Sequence, residues 1–253
     1  MRPPAAPGDV DALYASVLRA GESVPALRAA LAEHAPDTTL LIALLRRAVP
    51  LRLLELLAAP PWSDDVRVLA GVVLNPRAPV PLALRLVPSL FWRDLAAVAL
   101  APRVTGPVRV RAEAVLRDKV PDLRLGERVA LGKIATTPVL PLLLADQAAR
   151  VAAACLINPR LREEDLVTAL RQETVRVPLI EATCASTRWS ASYAVRLAIV
   201  LQPRTPLALA LGQLSALTPR DLRRVAVASV ARLLQVAADR LAARAPDQPE
   251  TET

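Results

Sequence analysis

"VVLNPRAPVPLAL" (residues 72–84) runs apolar, halts at Asn75-Pro76-Arg77 and resumes apolar. "IVLQPRTPLALAL" (199–211) does almost the same, halting at Gln202-Pro203-Arg204. The two stretches are offset by 127 residues, and the register extends in both directions. Residues 62–99 and 189–226 share 17 identities over 38 ungapped positions. Shared Ala and Leu can arise from composition. Trp62/Trp189, Pro76/Pro203, Arg77/Arg204, Pro79/Pro206 and Arg93-Asp94-Leu95/Arg220-Asp221-Leu222 in one register point to a repeated structural unit. A third copy lies between them: "ARVAAACLINPRL" (149–161) matches 66–78 and keeps Asn158-Pro159-Arg160. A fourth trace, 97–104, carries Arg103.

The unit reads as helix, proline turn, helix. Proline cannot continue a helix, and asparagine tolerates the left-handed conformation in which many helices end. On this reading Asn75-Pro76 and Asn158-Pro159 are punctuation. Turn geometry does not require the arginine that follows. Arg77, Arg103, Arg160 and Arg204 are expected to cap helix carbonyls or to pair with an acid of the adjacent repeat. The alternative is a row of guanidinium forks offered to phosphates or carboxylates. Apolar periodicity predicts a helix over 219–236, with Leu222, Val225, Ala226, Val230, Leu233 and Leu234 on one stripe. It predicts another over 107–118, with Val108, Ala112, Val115 and Leu116 inward and Glu113 and Arg117 paired outside. Thr218-Pro219-Arg220-Asp221 reads as N-cap, first helical residue and first-turn acid. Ser63-Asp64-Asp65 and Thr205-Pro206 read as similar starts. Such spacing predicts an all-α chain of about eleven or twelve helices of roughly 8 to 16 residues, because prolines mark their ends.

In these features the chain resembles HEAT-like, armadillo-type α-helical repeat proteins, in particular divergent bacterial ones with "NPR" turns. The resemblance covers about residues 10–242. It implies a right-handed α-solenoid of irregular repeats, here a single domain over 8–244 between a flexible start (1–7) and a disordered acidic tail (245–253). It also implies Arg–Asp ladders between repeats, with Asp94 and Asp221 as the natural partners of the turn arginines. Proteins of this kind include scaffolds, adaptors, bilin-lyase-related proteins and alkylated-base DNA glycosylases.

Composition agrees with packed helices. Apolar residues make up 53% of the 253, but there are only three Trp, two Tyr and one Phe, so Leu, Val and Ala must build the core. The net charge is +8, which suggests an anionic partner. All but Lys119 and Lys133 of the 32 basic residues are arginine. Heavy Arg, Ala, Pro and Leu usage also follows from a GC-rich genome, which weakens the charge as evidence for nucleic acid and points to a bacterial source. Cys155 and Cys184 sit apart in apolar surroundings and read as free thiols in a reducing cytosol. The opening "MRPPAAPGDV" lacks a signal-peptide core, and the longest uncharged run, 205–219, is too short and too proline-broken to span a membrane. A soluble cytoplasmic protein is expected.

The catalytic inventory is thin. A single histidine, His34, gives no support for a metal site or a Ser-His-Asp triad, and no glycine pattern suggests a phosphate loop. Glu163-Glu164-Asp165 reads as helix-start electrostatics. No catalytic residue, cofactor or metal is expected, and the chain reads as a non-enzymatic scaffold or adaptor for a protein partner, with an acidic protein among the partners that its basic charge suits. A nucleic-acid-binding protein, glycosylase-like at the extreme, and a lyase-like factor are the alternatives. Candidate partner-binding residues are Arg220, Arg223 and Arg224, on one face of the 219–236 segment, and Phe91-Trp92, which Thr218-Pro219 replaces in the other copy. Asn75, Pro76, Arg77, Asn158, Pro159, Arg160, Pro203 and Arg204 are read as repeat turns.

Overall fold

The computed structural model describes residues 7–244. Of the expected flexible start only Pro7 is described, and the expected acidic tail at 245–253 lies outside the described residues. All regular structure among the described residues is helical. The described backbone gathers into two compact units that divide between Asp122 and Leu123.

The amino-terminal unit contains α1 (Pro7–Ala20), α2 (Val24–His34), α3 (Thr38–Leu45), α4 (Leu51–Leu57), α5 (Val66–Leu74), α6 (Val80–Leu86), α7 (Trp92–Leu100) and α8 (Gly106–Lys119). Single 3-10 turns lie at Trp62–Asp64 and Val87–Ser89. Helices α1, α3, α5 and α7 pack in succession, α2 packs on α4, and α7 packs on α8. The carboxy-terminal unit begins with α9 (Leu125–Ile134), α10 (Leu140–Leu144), α11 (Ala149–Leu156), α12 (Glu163–Arg171) and α13 (Val177–Ala185). It continues with α14 (Thr187–Ser190), α15 (Tyr193–Leu201), α16 (Leu207–Gln213), a 3-10 turn at Leu214–Ala216, α17 (Pro219–Val227) and α18 (Arg232–Arg244). Here α9, α11 and α13 form one packed row and α12, α15 and α17 another.

Helices are more numerous and shorter than periodicity suggests. Proline accounts for much of this. It stands at the N-cap or in the first turn of α2, α4, α6, α8, α10, α13, α16 and α17, where its missing N–H costs nothing.

The repeat holds in three dimensions. Helix α5, α6, the 87–89 turn and α7 reappear 127 residues later as α15, α16, the 214–216 turn and α17, with no boundary slipping by a residue. Upstream, α3, α4 and the 62–64 turn are answered by α12, α13 and α14. One copy lies in each unit.

Asparagine does something other than end helices left-handed. Asn75 adopts φ −66°, ψ 134°, and Gln202 φ −83°, ψ 117°. The proline that follows disfavours helical backbone at the preceding residue and pushes it to extended conformation. The side chain then works as a clasp. Asn75 Nδ2 donates to the Leu45 and Arg47 carbonyls at the end of α3, both at 2.8 Å, while its Oδ1 accepts from Arg77 N–H. Asn158 Nδ2 donates to the Gly132 and Ala135 carbonyls at the end of α9, and its Oδ1 accepts from Arg160 N–H. Gln202 Nε2 donates to the Leu170 and Gln172 carbonyls at the end of α12, and its Oε1 accepts from Arg204 N–H. All three amides are buried. Packing buries helix ends whose last carbonyls have no intrahelical donor, and the amide at the end of a later helix supplies one.

The expected helix over 219–236 is two helices. With 3.6 residues per turn, buried Leu222 and Val225 would lie about 170° from buried Leu234, Ala238 and Ala242 on a straight helix. The break at 228–231 folds α18 back on α17 so that both sets meet in one core. Leu233, expected inward, is exposed. Thr218 does cap α17, accepting from Asp221 N–H, with Pro219 as its first residue. In α8 the buried set is the expected Val108, Ala112, Val115 and Leu116, but Glu113 and Arg117 form no ion pair.

Candidate functional site

The arginines of the repeat turns do not form the expected ladder. Among the described residues, the guanidinium groups of Arg77, Arg103, Arg160 and Arg204 make no hydrogen bond or ion pair, and all four are exposed. Arg77 contributes only its charge, which helps hold the Glu22 carboxyl below its ordinary value, behind the hydrogen bond from Arg52 N–H. The turns use the arginine backbone, which the clasp amide engages, rather than the side chain. Replacing Arg204 with alanine should therefore leave stability within about 0.5 kcal/mol of the parent. Thermal melts of the two proteins check this.

The two expected acids have opposite surroundings. Asp221 accepts from the Tyr193 hydroxyl, from Arg224 Nη1 at 2.8 Å and from Thr218. Burial pushes its carboxyl up, but these bonds outweigh it and hold the group below its ordinary range. Asp94, its counterpart in the first copy, has no such donors. Val66, Phe91 and Ala97 stand where Tyr193, Thr218 and Arg224 stand in the second copy. Burial alone acts on Asp94 and pushes its carboxyl up.

Asp94 faces a cavity of about 480 Å³ in the amino-terminal unit. Ile42 and Leu45 of α3 and Ala70 and Leu74 of α5 give it apolar walls. Arg46, Arg67 and Arg103 supply positive charge. Arg67 is held in place: its Nε and Nη2 reach Asp65 at 3.1 and 2.8 Å, and Asp65 also caps α5 and accepts from Thr38. That arrangement, led by the Arg67 bond, holds the Asp65 carboxyl well below the usual carboxylate range. Arg46 and Arg103 are exposed and make no ion pair among the described residues. Gly71 lets α5 approach α3 along the cavity wall, since a Cβ there would stand 2.8 Å from Leu45 Cδ1.

The second copy keeps the frame of this site and not its charges. At the 127-residue offset, Arg67, Gly71 and Arg103 become Ala194, Ala198 and Val230, while Asp94 becomes the ion-paired Asp221. The first copy thus combines arginines its twin lacks with a carboxylate its twin satisfies internally.

The other candidates are placed as follows. Phe91 is 61% exposed at the N-cap of α7, but Trp92 is 8% exposed and belongs to the core, so the pair presents no aromatic patch. Arg220, Arg223 and Arg224 are exposed on α17, and Arg224 is committed to Asp221. Glu163, Glu164 and Asp165 open α12, and Arg162 pairs with the latter two. Cys155 and Cys184 are free thiols, and burial pushes the Cys155 thiol up to about 12. Among the described residues no three His, Cys, Asp or Glu side chains gather as a metal site, and no helix is long and apolar enough to cross a membrane.

Comparison with protein-family models, curated proteins and solved structures finds no match to this chain.

The raised Asp94 carboxyl has a consequence for stability. A carboxyl raised on folding binds its proton more readily in the folded protein than in the unfolded chain. Its cost is absent below the unfolded value of about 3.9, grows as pH rises toward the folded value and is constant above it. Asp94→Asn should therefore melt higher than the parent at pH 7, and the difference should vanish at pH 3. Calorimetry at the two pH values measures both.

Proposed function

We propose that the chain is a non-enzymatic binding module, a HEAT-like stack of helical repeats that docks a protein partner over the arginine-lined cavity of its amino-terminal unit. The observation that carries this reading is the divergence of the two copies at one place. They share helix boundaries, clasp and turn, and differ in Arg67, Arg103 and the donors around Asp94. Architecture explains what repeats. Packing does not account for a half-buried carboxylate without protein donors in a cavity that Arg46 and Arg103 also line, and in the twin the same position is met by donors of the chain. The clasps support the solenoid reading, because in each a later helix supplies donors to the buried end of an earlier one.

The test is a pull-down from native-host extract, with and without nuclease, using the parent and the double variant Arg46→Ala/Arg103→Ala. A nuclease-resistant partner held by the parent and lost by the variant supports the reading. A partner lost on nuclease treatment favours nucleic acid. Equal capture by both proteins removes the cavity from the function.

A further inference from the structure

We propose that the cavity reads a carboxylate: its ligand is an extended acidic–aliphatic peptide segment, an Asp or Glu side chain flanked by Leu, Ile or Val. This rests on the binding-module reading and specifies its ligand.

Three features of one cavity have to be met together. Arg46 and Arg103 offer planar forks that match a carboxylate, and neither is engaged among the described residues. Arg67 is oriented in advance by Asp65 and keeps Nη1 free for a ligand. Ile42, Leu45 and Leu74 offer an apolar wall to an aliphatic side chain. Asp94 is a half-buried acceptor that no donor of the protein meets among the described residues. In the second copy Tyr193, Thr218 and Arg224 provide donors for the equivalent carboxylate. In the first copy a ligand can bring one.

A peptide brings all three: a side-chain carboxylate, an aliphatic neighbour and a backbone N–H for Asp94. A phosphodiester backbone brings negative charge but no N–H for Asp94. A cavity of about 480 Å³ accommodates a few side chains of a peptide.

The experiment is a fluorescence-polarisation titration of the full chain against an array of labelled heptapeptides. The array alternates Asp or Glu with Leu, Ile or Val, and each peptide is matched by its Asn/Gln counterpart. A single-stranded oligonucleotide serves as the phosphate probe. Saturable binding of acidic peptides is expected, weakened at least tenfold in the amide counterparts. Arg103→Val, which installs the residue of the second copy, should weaken it at least tenfold, and Arg46→Ala comparably. Arg85→Ala, exposed on α6 away from the cavity, should leave it unchanged. Asp94→Asn should weaken peptide binding severalfold. Equal affinity for acidic and amide peptides overturns the proposal, as does indifference to Arg103→Val. So does binding of the oligonucleotide alone, or failure of every acidic peptide to bind. If the array fails while a pull-down partner still depends on Arg46 and Arg103, the module reading stands and the carboxylate assignment falls. All substituted arginines are exposed, so the variants should melt with the parent, and circular dichroism verifies this.

Discussion

Replacing Asn158 with alanine should lower the melting temperature by roughly 5–15 °C, reflecting about 2–4 kcal/mol lost from a chain of this size. The side chain is 0% exposed and makes three hydrogen bonds. Its loss leaves the Gly132 and Ala135 carbonyls without their clasp donor, where water cannot readily replace it. Most of the cost comes from these stranded acceptors rather than from the bonds as such. The site has little room to readjust, because α9 lies close against α11: a Cβ at Gly132 would stand 3.2 Å from Cys155 Sγ and 3.4 Å from Cys155 N. Asn158→Asp sharpens the test. At neutral pH a carboxylate would face two carbonyl oxygens, so the loss should equal or exceed that of alanine. Protonation restores one donor, so the aspartate variant should regain ground on the alanine variant as pH falls. Urea melts of the three proteins at pH 7 and pH 4 measure this. Equal stability of the alanine variant and the parent would remove the clasp as a structural element.

The clasp also marks where the reading of sequence stops. The repeated turn, the cap at Thr218 and the inward face of α8 could all be read, because each depends on residues a few positions apart. Asn75 was read as a left-handed stop although Pro76 already opposed it, since a residue before proline favours extended backbone. What its amide reaches could not be read, for the acceptors lie 28 and 30 residues back on another helix. The cavity was hidden for a similar reason. It gathers Arg46 from the end of α3, Arg67 from α5, Asp94 from α7 and Arg103 from beyond α7. A signal was nevertheless present. Comparing the copies for what differs, rather than for what repeats, would have singled out Arg67, Gly71 and Arg103 around a shared aspartate. Difference alone does not suffice, since Trp92 also differs from its counterpart Pro219 and proves to be core. The exposed, uncommitted charge beside it separates the two cases.

The second large effect is expected at Trp189, and it should be absent at its repeat partner. Trp189→Ala should cost about 3–5 kcal/mol, whereas Trp62→Ala should cost well under half of that. Both open the same repeat, yet their surroundings differ. Trp189 is 4% exposed, its indole N–H donates to the Leu156 carbonyl at 2.8 Å, and Arg188 stacks 4.2 Å from its ring centroid. Trp62 is half-buried in a 3-10 turn, and among the described residues its indole makes no hydrogen bond. Trp189→Phe divides the large effect. The ring largely remains, the Leu156 carbonyl loses its donor, and about 1–3 kcal/mol of the loss should persist. Leu156 is the last residue of α11, two before Asn158. One short segment therefore receives a donor from Trp189 and gives donors to the end of α9. The same problem is solved twice in succession: packing buries a helix end, and a side chain from a later segment satisfies its carbonyls. Substitutions at Trp189 and Asn158 should then couple, with the double variant Trp189→Phe/Asn158→Ala losing less than the sum of the single losses. Strict additivity in urea melts would mean that the two donors secure α9 and α11 independently.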